Sequence, residues 1–265
     1  MDEKRLTPVE FINGYYFKRD DAYKIGDAIG GKARVAEHLI KKAVNNGFTK
    51  VVTTGSRDSR QCDIVSSVCD YYNIECHLFM PSGKDTDVIS NIQKRKTSVI
   101  HRTKVGYNSV LIHDSREWAL AHNAYYIPFG MECQECIDIN KQQVANIPPD
   151  VKRIIIPCGG GMQMISVIHG LKYYDKAHIK VVGVQVGASP KRVIDKFLPN
   201  ADLFCDEYNY EIIKSEIPYD KHINATFCGV ELDEIYEAKC VPFLREGDLL
   251  WIVGKGLNKH VNEIR

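Results

Sequence analysis

The sequence predicts an α/β protein with mostly parallel sheets covered on both faces by helices. Three observations lead there. Short β-branched runs alternate with stretches of helical spacing along most of the chain, and strands alternating with helices at that rhythm pair in parallel with both faces buried. Two of the runs stop at a glycine- or hydroxyl-rich turn, where open α/β sheets hold their ligands. The 265 residues, 44% hydrophobic and 26% charged, suffice for one large domain or two modest ones and do not resemble a disordered, collagenous or coiled-coil chain.

The elements follow in order. Residues 50–54 (KVVTT) read as a buried strand ending at Gly55. Ile64, Val65, Val68, Tyr71 and Tyr72 have helical spacing, and 75–80 (ECHLFM) form a strand stopped by Pro81, Ser82 and Gly83. A helix over 85–94, a strand over 109–113, a helix over 116–124 and a strand over 125–128 complete the first series. The second series places strands at 153–156, 180–185 (KVVGVQ) and 248–253, with helices over 164–174, 191–198 and 232–243. No repeat or low-complexity tract interrupts them, and a division is expected near 128–130.

Charge and cysteine usage narrow the class. Lys and Arg number 35 against 34 Asp and Glu, a net charge of +1, so no large field of one sign calls for nucleic acid or membrane. No apolar run approaches the roughly 20 residues of a membrane helix. Residues 1–5 are charged and lack the apolar core of a secretory signal; a cytoplasmic protein is expected. Nine scattered cysteines suggest reduced thiols. The lone pair Cys133 and Cys136 has no second pair at zinc spacing, and the nine histidines form no HExxH, so no metal site is expected. The basic run Lys94-Arg95-Lys96, continued by His101, Arg102 and Lys104, reads first as a solvated face and second as an anion or nucleic-acid contact.

Four segments carry chemistry. Gly30-Gly31-Lys32 opens a helix through Val35, Leu39 and Ile40; paired glycines let a ligand approach the backbone, and a desolvated lysine becomes nucleophilic. Read alone, Lys32 is first an exposed lysine after a turn and only second a nucleophile. The loop Thr53 to Gln61, with Ser56, Arg57, Asp58, Ser59 and Arg60, joins a strand to a helix and suits a carboxylate or phosphate, or is simply a capped loop. Gly159-Gly160-Gly161, followed by Met162 and Gln163, stands at another strand-to-helix junction. Three glycines there cost chain entropy and are explained by backbone N–H groups cradling a phosphate, although the spacing is neither a P-loop nor GxGxxG. Leu232 to Lys239 is, by itself, a charged amphipathic segment.

Taken in this order, with Thr7-Pro8 and Lys18-Arg19-Asp20-Asp21 ahead of them, the segments resemble the fold-type II pyridoxal-phosphate enzymes (tryptophan synthase beta-like), and within these the branch of aminocyclopropanecarboxylate deaminase and D-cysteine desulfhydrase. The resemblance spans residues 7–256. It implies pyridoxal 5'-phosphate as cofactor, Lys32 as its Schiff-base lysine and proton carrier, and Ser56 and Tyr236 as catalytic groups beside the substrate. It further implies Gly159, Gly160, Gly161, Met162 and Gln163 around the cofactor phosphate, and Glu237 facing the pyridine nitrogen, where a carboxylate keeps the ring protonated. Two domains are implied, a smaller one over 33–128 inserted into a larger one of 1–32 plus 129–265, in a homodimer.

Departures from the family pattern bear on the substrate. Arg57 stands where the family has Asn, Asp58 where it has His, and Val253-Gly254-Lys255-Gly256 replaces the usual Thr or Leu with two glycines. An arginine grips a carboxylate or phosphate with two bonds, so Ser56, Arg57, Asp58, Ser59 and Arg60 are the expected substrate-binding set. The resemblance implies a lyase or deaminase acting at the α-carbon of an amino acid, with decarboxylation, racemisation or replacement open to the same core. One alternative substrate is an amino acid attached to a thymine base in viral DNA, since compact viral relatives act there. A second alternative is a non-catalytic module binding a phosphorylated ligand.

Overall fold

The computed structural model describes residues 6–104, 106–198, 208–223 and 226–254; Lys255, Gly256 and residues 1–5 lie outside them. The chain opens with a hairpin of β1 (Val9–Ile12) and β2 (Tyr15–Arg19). Its turn is Asn13-Gly14, both with positive φ (50° and 85°), the backbone that a two-residue hairpin with right-handed twist requires.

The chain then divides into two compact units, Lys24–Glu135 and the remainder. Within Lys24–Glu135, β3 (Lys24–Ile25) and β4 (Ala28–Ile29) form a small antiparallel pair ahead of α1 (Gly31–Asn45). There follow β5 (Lys50–Thr54), α2 (Arg60–Tyr71), β6 (Glu75–Pro81), α3 (Asp87–Gln93), β7 (Ser98–Thr103), α4 (Asn108–Ala121) and β8 (Tyr125–Tyr126). The four strands β5 to β8 pair in parallel in the order β7-β6-β5-β8. Helix α1 packs on α2, and α2 and α4 pack on β5 and β6. Val51, Val52, Cys76 and Leu78 are buried as central-strand residues should be.

Helix α5 (Gln134–Asn140) leads into the other unit, with β9 (Arg153–Cys158), α6 (Met162–Tyr173), β10 (Lys180–Gln185), α7 (Lys191–Phe197) and β11 (Tyr210–Lys214). The hairpin β12 (Thr226–Phe227) and β13 (Val230–Glu231), a 3-10 segment Glu237–Phe243 and β14 (Leu249–Ile252) complete it. Its six-stranded sheet runs β1-β2-β14-β9-β10-β11, parallel except at β1. Phe17, Ile155, Val182, Val184, Leu250 and Ile252 share one core cluster.

A buried polar knot joins the two ends of this unit's chain. Asp20 accepts the hydroxyl of Thr7 (2.7 Å) and the indole N–H of Trp251 (2.9 Å), while Lys18 donates to the Thr7 carbonyl (2.8 Å) and Asn146 (2.7 Å). Lys18 and Asp20 are both 0% exposed, so their burial is tolerable because such bonds replace those to water.

The structure differs from the sequence reading in several places. Residues 109–113 are helix, not strand: Leu111, Ser115 and Ala119 are buried at intervals of four, the helical repeat of α4. The basic run hides a strand, β7. The segment 232–243 is not one helix but a turn at Asp233 and a 3-10 segment containing Pro242, whose missing N–H forbids a regular helix. Strands β1 to β4, helix α5, strand β11 and the hairpin of β12 and β13 lie where no element was expected. The sequence places domain limits at 32/33 and 128/129, whereas the contacts divide the chain at 23/24 and 135/136. Lys32 belongs to the inserted unit because α1, which it begins, packs on α2.

Candidate active site

In the unit Lys24–Glu135, Gly30 precedes α1, and its φ of 99° turns the chain into the helix. Lys32 is the second residue of α1 and is exposed. Its ammonium acts on Cys62 in the first turn of α2: burial pushes that thiol up to about 12, against the opposing pull of Ser59 and Lys32. Cys62 is therefore a neutral thiol at ordinary pH.

The loop before α2 is tightly built. A Cβ on Gly55 would lie 2.2 Å from Ser59 Oγ and 2.9 Å from Cys62 Sγ, so only glycine fits. Ser59 caps α2 by accepting the Cys62 N–H (3.3 Å), and its own N–H donates to the Ser56 carbonyl (3.0 Å). The Ser56 and Asp58 side chains are exposed, and Arg60 begins α2 half-buried. Arg57 of this loop reaches the loop after β6: its guanidinium donates to the Lys84 carbonyl (3.2 Å) and its own carbonyl accepts the Thr86 hydroxyl (2.8 Å). Beneath them, the buried Gln61 amide donates to Thr53 Oγ1 (2.8 Å) and the Pro128 carbonyl (2.7 Å).

In the other unit, Gly159, Gly160 and Gly161 join β9 to α6. Each glycine has its own reason. A Cβ on Gly159 would stand 3.3 Å from Tyr236 Cε1, Gly161 has φ +90° with Pro190 Cβ 3.0 Å from its Cβ position, and a Cβ on Gly160 would meet nothing within 4 Å. The side-chain nitrogen of Gln163 is buried with no hydrogen-bond partner, at the start of a 12-residue helix whose first turn carries no acid. Bare backbone around open space, a buried donor and a helix N-terminus fit a phosphate group.

The segment after β13 supplies the side chains around this loop. Asp233 Oδ1 accepts the N–H groups of Ile235 (3.0 Å) and Tyr236 (2.9 Å), fixing Tyr236 from its own backbone. The Tyr236 hydroxyl stands 3.4 Å from that of Tyr219. Glu237 is 0% exposed, and its Oε1 accepts the N–H of Val253, just past β14 (2.7 Å). Its charge helps burial to raise the Cys240 thiol. Burial likewise pushes Cys158 up to about 12. Tyr219 was not singled out from sequence, because its neighbours Gly187 and Tyr236 are distant along the chain.

The structure thus gathers Gly159, Gly160, Gly161, Met162, Gln163, Tyr236 and Glu237 at one end of the six-stranded sheet. It gathers Lys32, Ser56, Arg57, Asp58, Ser59 and Arg60 around the start of α2. Two arginines of the basic run are tied down internally: Arg95 pairs with Asp63 (2.6 Å) and donates to Ser66 (2.7 Å), and Arg102 pairs with Asp85 (2.6 Å). Among the described residues, the cysteines are free, no group of three or more His, Cys, Asp or Glu is placed to hold a metal, and no helix is long and apolar enough to cross a membrane.

A 1-aminocyclopropane-1-carboxylate deaminase from Variovorax paradoxus is 23% identical over 271 residues, covering 92% of this chain and 79% of its own. The crystal structure of an ACC deaminase homologue superposes with a TM-score of 0.79 at 19% identity, covering 94% and 89% of the two chains. The processed form of threonine deaminase isoform 2 from Solanum lycopersicum gives 0.66 at 15% identity, with 96% and 84% covered. Residues 4–238 match the family described as pyridoxal-phosphate dependent enzyme. The chain therefore belongs to the pyridoxal-phosphate-dependent enzymes of fold type II, with pyridoxal 5'-phosphate as its cofactor.

Proposed function

We propose that this enzyme is a lyase acting at the α-carbon of a free amino acid, by elimination with loss of ammonia. The observation that carries the reading is the adjacency of Tyr236 and Glu237 at the glycine loop: a phenol over Gly159 and, one residue on, a carboxylate with no exposure to water. When bound, pyridoxal phosphate draws off the electrons of the bond broken at the α-carbon. Glu237 would hold a proton at the pyridine nitrogen, a task for which a buried carboxylate is suited. The N–H groups after Gly159 to Gly161, with the Gln163 amide, would bind the phosphate. Lys32 would hold the cofactor and move a proton at the α-carbon. The hydroxyls of Ser56 and Tyr236 would give or take protons at the substrate, and Arg57, Asp58, Ser59 and Arg60 form its binding loop.

The use of the basic run supports a free amino acid over one attached to a DNA base. Arg95 and Arg102 are held by Asp63 and Asp85, which leaves less positive charge to follow a polyanion. A homodimer and a cytoplasmic location belong to the same proposal.

The test is direct. The purified holoenzyme is reduced with borohydride and digested; a pyridoxyl adduct on Lys32, lost in Lys32→Ala, is expected. The holoenzyme is then incubated with aminocyclopropanecarboxylate, D-cysteine, threonine and serine, and ammonia and 2-oxo acid are measured. Release of both from at least one, abolished in Lys32→Ala, supports the lyase. Turnover only of amino-acid-modified DNA overturns the free-substrate reading, and racemised amino acid without ammonia overturns elimination.

A further inference from the structure

Lys239, in the 3-10 segment Glu237–Phe243, is wholly enclosed at 0% exposure. Its ammonium donates to the carbonyls of Pro218 (2.7 Å) and Tyr219 (3.0 Å) and lies 5.9 Å from the centre of the Tyr219 ring. Burying an ammonium is costly unless its protons are bonded. Burial draws Lys239 below the usual lysine range, with Asp220 and Asp233 acting the other way. That cost needs a return, and core packing is a poor one: Tyr219, whose carbonyl is held, is 50% exposed. Carbonyls of so exposed a loop could be satisfied by water. What water could not do is hold two successive carbonyls on one fixed point and so set the direction in which the Tyr219 side chain leaves the backbone.

That direction matters because of what Tyr219 touches. Its ring lies 3.1 Å from the Cβ position of Gly187, whose φ of +96° turns the chain out of β10. The ring meets Tyr236 edge-on, at 6.3 Å and 77°, and the two hydroxyls are 3.4 Å apart. Tyr236 in turn covers Gly159. A chain of contacts therefore runs from the Lys239 ammonium through the 218–219 backbone and Tyr219 to the Tyr236 hydroxyl.

We propose that Lys239 is a positioning residue, which holds the Pro218–Tyr219 backbone so that Tyr219 orients the Tyr236 hydroxyl for proton transfer at the substrate. The effect on turnover rests on the lyase reading above; the effect on the loop does not. The experiment compares wild-type holoenzyme with Lys239→Met, Lys239→Arg, Tyr219→Phe and the Lys239→Met/Tyr219→Phe double variant. It reads hydrogen exchange by mass spectrometry, cofactor affinity, kcat and KM.

In Lys239→Met, exchange should rise about tenfold in peptides covering 215–223 and stay at wild-type level in the core strands, with cofactor affinity within about threefold. On the substrate turned over, kcat should fall about tenfold with KM nearly unchanged, and adding Tyr219→Phe should cost little more, since both changes cut the same chain of contacts. Lys239→Arg should recover most of the rate. Unchanged exchange at 215–223, a general rise across the unit, or full additivity with Tyr219→Phe overturns the proposal. Should Lys239→Met fail to fold, Lys239→Gln, which keeps an amide donor for one carbonyl, is read by the same criteria. If the wild-type holoenzyme turns over none of the amino acids, the lyase reading fails on its own, and the exchange pattern still decides the role of Lys239.

Discussion

The ring of Tyr236 covers Gly159, with Cε1 3.3 Å from where a Cβ on that glycine would begin. The next glycine is different: a Cβ on Gly160 meets nothing within 4 Å, and its φ is not in the left-handed region. Gly160 is bare to leave space, not to relieve strain.

Gly160→Ala is therefore expected to fold as well as wild type, within about 0.5 kcal/mol by denaturant melting, while titration of the apoprotein shows pyridoxal phosphate binding about tenfold weaker. Gly161→Ala should behave in the opposite way at first. Its φ of +90° and the Pro190 contact at 3.0 Å strain any side chain, so it should lose about 1–3 kcal/mol of stability before any ligand is added.

Asp20→Ala removes the acceptor of both the Thr7 hydroxyl and the Trp251 indole. Two buried donors then lose a charged partner, and the variant should be about 2–4 kcal/mol less stable in urea. Fluorescence of Trp251 should shift to the red as water enters. An unshifted spectrum with wild-type stability would show that the knot contributes nothing.

Gln61→Leu keeps the volume but removes the amide that bonds Thr53 and the Pro128 carbonyl. A cost of about 1–3 kcal/mol is expected from the buried carbonyl left unpaired. Because the same amide anchors the end of β5, proteolysis in the 55–60 loop should quicken. Equal cleavage rates in variant and wild type would count against it.

His77 and His101 share a hydrogen bond of 2.9 Å, with Glu75 on the other nitrogen of His77 at 2.7 Å and the Trp118 ring 3.9 Å away. Burial holds both histidines below their ordinary 6.5; Glu75 opposes this at His77, while Lys50 and His122 add to it there, and His77 and His122 add to it at His101. The unfolded chain therefore takes up protons first as pH falls, so stability contributed above 6.5 is lost as pH drops through 6.5 toward the lower folded values. Between pH 7.5 and 5.5 the wild-type melting temperature should fall by a few degrees more than that of His101→Gln. Parallel curves would remove the pair as the cause.

Much of this molecule is readable locally. The runs at 50–54, 153–158 and 180–185 announce themselves because a strand buried on both faces needs unbroken apolar, β-branched sequence. Gly159, Gly160 and Gly161 stand out because three entropy-costly residues in a row need a reason, and Lys32 stands out because it follows paired glycines at a helix start. Those properties live in the backbone and its neighbours, which is why the α/β class follows from the pattern of the sequence, and the cofactor from the family resemblance that the ordered segments carry.

Tertiary structure decided the rest, because it depends on which distant groups meet. The strand Ser98–Thr103 is disguised by cations in and beside it, two of which, Arg95 and Arg102, are balanced only when Asp63 and Asp85 fold against them. Residues 109–113 have a strand's composition, yet only one side of them faces the sheet, and the helix α4 satisfies that. Arg57 looks like a free anion grip until the loop after β6 takes up its guanidinium. Lys239 looks like one more surface lysine in a charged segment; only folding brings Pro218 and Tyr219 to its ammonium, and a buried charge acquires its role from the partners that make its burial tolerable.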